Sequence, residues 1–401
     1  MNAPYLDLPI TSDSSEAKAA IIGFADELMS HGSNARIIFE ALNDDPDCAV
    51  AHACAAALFL TQMTRAGQAQ AAPHIAAAKV GTRFATERER YFIAAVAYWG
   101  KGEDAHAVRI LRAIVETWPH DLVAAKLCQI LALGLGDLQG MRRTSAMAAA
   151  VEGRSGYALG LHAYALEQIG EPALALRFAL RAMEVNPTRD PWAQHSAAHA
   201  LVAMGQSSAA RSFLRAHVEE WDRCSSFMLT HNWWHLALCD LELGNPTGAL
   251  EMFDERVWGV RKGHAQDQIN AISLLARLEM QGVEAKWRWA DIARHFEGRE
   301  GDSINGFLDL HYLYALARSG RDGAANRMVD NMQCQGVISA LAVGIVAYTR
   351  SEYRKAAEII APVVWHLGEI GGSNIQRDLF AQIYMDSAKR ARTQEGFRVA
   401  A

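Results

Sequence analysis

The chain has no basic run, no Lys/Arg stripe and no excess of positive charge: 39 Lys and Arg stand against 45 Asp and Glu, a formal net charge of −6. That balance offers no electrostatic footprint for a phosphate backbone or an anionic bilayer, so neither nucleic acid nor membrane is an expected partner. Cysteine is sparse and scattered over Cys48, Cys54, Cys128, Cys224, Cys239 and Cys334, never in a C-x-x-C pair. The pattern excludes the usual cysteine-based zinc and redox motifs and leads us to expect a reduced, cytoplasmic protein. The opening MNAPYLDLPITSDSSEAKAA has no basic or apolar leader pattern, so no signal peptide is expected. Alanine-rich runs are broken by polar residues on a helical period, and none approaches the roughly 20 apolar residues a bilayer requires. Proline is also rare, at 10 of 401 residues, and alternating β-branched runs are nearly absent, which leaves helix as the expected state almost throughout.

What is present is a repeat. GEDAHAVRILRAIVETWP from Gly102 and GEPALALRFALRAMEVNP from Gly170 align without a gap: Ala107 with Ala175, Arg109 with Arg177, Glu116 with Glu184, Pro119 with Pro187. A turn glycine, a small residue where two helices approach closely and a proline that ends the second helix make up the tetratricopeptide second-helix pattern. Weaker copies pair Gly205 with Ala210, Gly244 with Ala249, Gly320 with Ala325 and Ser351 with Ala356. Turn positions Gly102, Gly136, Gly170, Gly205, Gly244, Gly282, Gly320 and Ser351 are spaced by 34, 34, 35, 39, 38, 38 and 31 residues. The expected fold is therefore all-α: a right-handed α-solenoid of helix-turn-helix repeats in one superhelical domain over 1–401. Within it, 1–90 supply N-terminal helices, 91–337 the central repeats and 338–401 a helical cap. HFEGREGDSINGF, from His295 to Phe307, reads as a loop between repeats.

Distance back from each turn measures height along the first helix of a pair. His162 lies eight residues before its turn, His195 ten, and His235, Ser273 and His311 nine each. His199 and His231 extend two of these by four residues, onto the same helix face, where Trp192 and Trp234 also fall. Single histidines and tryptophans on helices usually serve packing. Their alignment in successive repeats, at heights that packing alone would fill with apolar side chains, points to a histidine- and tryptophan-lined concave pocket for a small molecule. THNWWHLAL would form one wall, His231, His235 and Trp234 facing inward and Trp233 packing sideways.

Nearly end to end, the chain resembles the tetratricopeptide repeat protein 38 family. TERERYFIAAVAYWGKGE from Thr86, GYALGLHAYALEQIG from Gly156 and FLDLHYLYALARSGR from Phe307 follow that family's blocks in order. DPWAQHSAAHALVAMGQ from Asp190 and HNWWHLALCDLELG from His231 are the blocks that generic repeats lack. Asn270 departs from the family's tendency toward aspartate before the Ser-Leu-Leu run. The resemblance implies a shared site at Glu167, Asp190, Trp192, His195, His199, His231, Trp234, His235, Ser273, Arg277 and His311.

Three chemistries are open at such a site. HxxxH on two neighbouring helices could hold a zinc-like divalent metal through His195, His199, His231 and His235, with Asp190 completing the shell. Alternatively, His195 and His235 act as an acid-base pair, with His231, His311 and Asp190 contributing to catalysis of a hydrolase or lyase type. Glu167, Trp192, His199, Trp234, Ser273 and Arg277 would then bind the substrate, Arg277 meeting a carboxylate or oxyanion. The third reading is a non-catalytic repeat scaffold for protein partners, the usual use of this fold. A small-molecule ligand is the expected partner on the first two readings, and a homodimer is left open.

Overall fold

The structure is a computed structural model that describes residues 8–151, 155–258, 260–299, 301–302, 304–333 and 336–400, with side chains to 394. Cys334, and Glu300 and Ser303 within the expected 295–307 loop, lie outside the described residues. The described residues are overwhelmingly helical, and their one β feature is an isolated antiparallel bridge between Gly32 and Cys224. The chain forms two compact units, one ending at Cys239 and one beginning at Asp240.

The first unit contains α1 (Ser15–Met29), α2 (Ile38–Asp44), α3 (Ala49–Leu60), α4 (Arg65–Gly81), α5 (Glu87–Trp99), α6 (Asp104–Thr117), α7 (Leu122–Gly134) and α8 (Leu138–Ala149). It continues with α9 (Gly156–Gln168), α10 (Pro172–Val185), α11 (Pro191–Ala203), α12 (Ser207–Arg215) and most of α13 (Ser226–Glu242). The second holds α14 (Pro246–Met252), α15 (Ala265–Met280), α16 (Lys286–Arg294), α17 (Gly306–Arg318), α18 (Asp322–Asn331), α19 (Val337–Thr349), α20 (Tyr353–Ile360) and α21 (Asn374–Ala400). Successive helices pack on one another within each unit, as α5 on α6, α6 on α7, α9 on α10 and α10 on α11 do in the first. Among the described residues, no helix is long and apolar enough to cross a membrane.

Each of the eight turn positions closes a first helix onto its second, and all eight have positive φ, from 63° at Ser351 to 91° at Gly282. At Gly205 the next amide, Gln206 N, donates back to Leu201 O at 2.9 Å, while Gly205 N donates to Val202 O at 2.8 Å. This glycine-centred C-cap satisfies carbonyls that the helix end leaves open and sends the chain back antiparallel. A Cβ at Gly205 or Gly244 would meet nothing within 4 Å, so backbone conformation and not space selects glycine there. Five residues on, Ala107, Ala175, Ala210, Ala249, Ala325 and Ala356 are all fully buried. Methyl-sized side chains at these points let paired helices approach closely.

Candidate metal centre

Two first helices of neighbouring pairs build the site. Asp190 caps α11, accepting from Ala193 N at 2.9 Å and from Asn186 Nδ2 at 3.2 Å. Pro191 then occupies the first turn, where its missing N–H costs nothing. Capping fixes the start of the helix and so sets the height and direction of His195 and His199, one turn apart on one face. α13 presents His231 and His235 at the same spacing. One ring nitrogen from each of these four histidines lies within 4.8 Å of the same atom of every other. All four side chains are interior, at 0–3% exposure. The sequence led to imidazoles facing an open concave pocket; the fold instead encloses them between helices.

The geometry inside the cluster is specific. Nε2 of His231 is 3.1 Å from Nε2 of His195, close to the edge of about 3.3 Å that a tetrahedral ion with 2.0–2.1 Å metal–nitrogen bonds requires. Nδ1 of His199 is 3.1 Å from Oε2 of Glu167 on α9. A carboxylate there makes Nδ1 the protonated nitrogen, leaving a lone pair on Nε2. That Nε2 is buried without a hydrogen-bond partner among the described residues. Glu167 is itself held by Gln168 Nε2. Burial, followed by the neighbouring imidazoles of His199, His235 and His231 and then His31, holds His195 well below the usual histidine pKa. It is therefore neutral, the form that ligates metals.

Aromatic rings wall the cluster. Trp234 is fully buried and lies nearly parallel to His231, 9° between planes and 5.2 Å between centroids. Trp233 turns aside, edge-on to Trp221 at 5.5 Å. Trp192 stacks on His195 at 4.5 Å and on His31 at 5.1 Å. Tyr164 of α9 closes the remaining side, 5.6 Å from His195 and 5.4 Å from His199.

Other expected site residues have different positions. Asp190 is pushed up to about 6, chiefly by burial; both its oxygens accept hydrogen bonds at the start of α11, and it stands outside the group of four histidines. His162 shares the cluster's height but not its direction: Nδ1 meets Ser145 Oγ at 3.1 Å and its ring edge meets Phe178 at 4.8 Å. Two residues further on, a rotation of about 200° puts Tyr164 on the facing side instead. In the second unit, Ser273 and Arg277 contact each other through Oγ and Nη1. Arg277 Nη2 also donates to Ile375 O at 3.0 Å. Burial lowers this guanidinium to about 10, Asp378 opposing the shift. His311 pairs Nδ1 with Phe307 O at 2.8 Å and packs on Phe307 and Phe380, and burial drops it to about 4.

Counting along helices missed Lys126 and His31. Lys126 interrupts the apolar helix LVAAKLCQILALG, a signal in plain view. His31 leaves no such mark, because its contacts are with residues far along the chain.

No family model matches the chain, so the finer assignment to the tetratricopeptide repeat protein 38 family stays a resemblance. Among solved structures it is similar to the tetratricopeptide domain of P58(IPK), at 13% identity over 95% of this chain and 99% of that one, with a TM-score of 0.22. That likeness carries neither family nor activity to this chain; the array of helix pairs rests on the turns and packing described above.

Proposed function

We propose that the chain is a helical-repeat scaffold whose first unit is locked by a buried divalent transition-metal ion on His195, His199, His231 and His235. One observation carries this reading: four imidazole nitrogens from α11 and α13 converge within 4.8 Å in the protein interior. Structural zinc sites are closed by four protein ligands, whereas catalytic sites keep a position open for water or substrate. Four buried imidazoles fill the shell, so the ion would cross-link two successive repeats instead of performing hydrolysis. All-nitrogen ligation suits zinc, copper or nickel better than magnesium or calcium. Glu167 would offset charge and fix the tautomer of His199, the usual arrangement behind a metal-bound imidazole. Partners would then bind the helical surfaces that the cross-link keeps in register.

A second reading is favoured by the same 3.1 Å contact: His195 and His231 form a hydrogen bond in a metal-free imidazole network. Thermal unfolding with and without a strong chelator separates the two. Metal held at about a hundred times its dissociation constant stabilises by roughly 2.7 kcal/mol. Stripping should therefore lower the midpoint by several degrees, and added zinc should restore it. A midpoint indifferent to both treatments would favour the metal-free network.

A further inference from the structure

Lys126 lies beside the four histidines, over the Trp192 ring that stacks on His195, and makes a second, differently built site. It projects from α7 and is 2% exposed. Its Nζ lies 2.8 Å from Nε2 of His31 and 3.7 Å above the ring centroid of Trp192. A buried lysine without a carboxylate on it is costly, and proteins seldom keep one without use.

Two further features show that the surroundings are built around this amine. His31 is held in the left-handed region at φ 51°, strained for a residue with a Cβ, and strain of this kind gathers at functional sites. Its carbonyl is pinned by Ser225 N at 2.7 Å, which fixes the ring over Lys126. Beside the amine, Nε1 of Trp192 is buried with no hydrogen-bond partner among the described residues, a donor in search of an acceptor. His31 as a residue is partly exposed.

We propose that Lys126 is a reactive amine that condenses with a small aldehyde to form an imine. Neutral His31 takes a proton from Nζ, and the freed lone pair adds to the carbonyl carbon. A proton passes from the adduct's ammonium nitrogen to its alkoxide, giving a neutral carbinolamine whose oxygen can accept from Trp192 Nε1–H. Protonated His31 then gives its proton to the hydroxyl, which leaves as water while the C–N bond becomes C=N, and the iminium nitrogen returns its last proton to the neutral His31. Aldehyde and ammonium go in, imine, water and one proton, released through His31, come out, and no oxidant or reductant is consumed. Burial supports the chemistry by lowering Lys126 to about 7, with Asp190 opposing, so a large share of the amine is free at neutral pH.

The test uses the full chain at pH 7.5 with equimolar benzaldehyde, reduction of the imine with borohydride, and peptide mass spectrometry of all eight lysines. Lys126 should carry at least tenfold more benzyl adduct than any other lysine. Lys126→Arg should abolish that adduct alone, and His31→Gln should slow its formation about tenfold at unchanged helical content. Adducts confined to exposed lysines, with Lys126 labelled only after denaturation, would overturn the proposal. So would an unaltered rate in folded His31→Gln. The experiment runs identically on chelator-stripped protein, so its failure leaves the metal reading untouched.

Discussion

Glu167 and His199, on α9 and α11, meet carboxylate to imidazole at 3.1 Å in the buried interior. The contact orients the ring and selects its tautomer, so Nε2 faces the other three histidines with its lone pair. Glu167→Gln keeps an acceptor but removes the charge, and Glu167→Ala removes both. Zinc affinity, measured by competition against a chromophoric chelator, should fall about 10-fold to 100-fold in Glu167→Gln. It should fall further in Glu167→Ala. Equal affinity in all three proteins would show that the carboxylate serves packing alone.

The ligands themselves should behave as a set. His199→Ala or His235→Ala should eliminate stoichiometric metal binding and make the unfolding midpoint insensitive to chelator, with far-ultraviolet circular dichroism still helical. If either variant keeps both the ion and the chelator response, that imidazole is not a ligand. If helicity is lost even in chelator-treated His235→Gln, the histidine is a core residue first.

The turns make a prediction about stability. Gly205 has φ 72° and unobstructed space around its missing Cβ. Gly205→Ala should therefore cost about 1–2 kcal/mol through backbone strain alone. For a unit of this size each kcal/mol moves the midpoint by roughly 2–4 °C. Differential scanning calorimetry checks this, and an unchanged midpoint would mean that the turn relaxes out of the left-handed region.

Much of this was readable in advance because it repeats. A left-handed turn every 31 to 39 residues favours glycine, and a close helix approach requires alanine, so each pair announces itself. Of the eight turn positions only Ser351 departs from glycine, and it pays the same φ. The HxxxH spacings likewise put His195 with His199, and His231 with His235, on shared faces. Height was legible; azimuth was not. His162 stands at the right level and faces Ser145, because one or two residues of offset turn a helical side chain through 100° or 200°. Burial was also hidden, since an imidazole stripe looks alike whether it lines a groove or the interior. Lys126 and His31 are 95 residues apart, and no local period connects them.

His162 predicts a pH dependence remote from the cluster. Burial drops it to about 4 from an ordinary value of 6.5, Arg142 adding to the shift. The unfolded chain therefore takes up this proton first as pH falls. Stability from this group is complete above 6.5, declines as pH drops toward 4, and levels below that. His162→Asn keeps an N–H to meet Ser145 Oγ and removes the titration. Its stability, from urea unfolding at stepped pH, should fall less steeply between pH 6.5 and 4 than that of the parent. Parallel curves would assign the acid sensitivity elsewhere.

The central claim is that four interior imidazoles form one closed tetrahedral site, and titration of metal-free protein with cobalt(II), followed by visible absorption, tests it most directly. The account predicts saturation at one ion per chain with the intense bands of a tetrahedral nitrogen-ligated ion, displaced by zinc and absent from the His195→Ala/His231→Ala double variant. Weak octahedral bands without saturation, or a spectrum unchanged by the double variant, would contradict it.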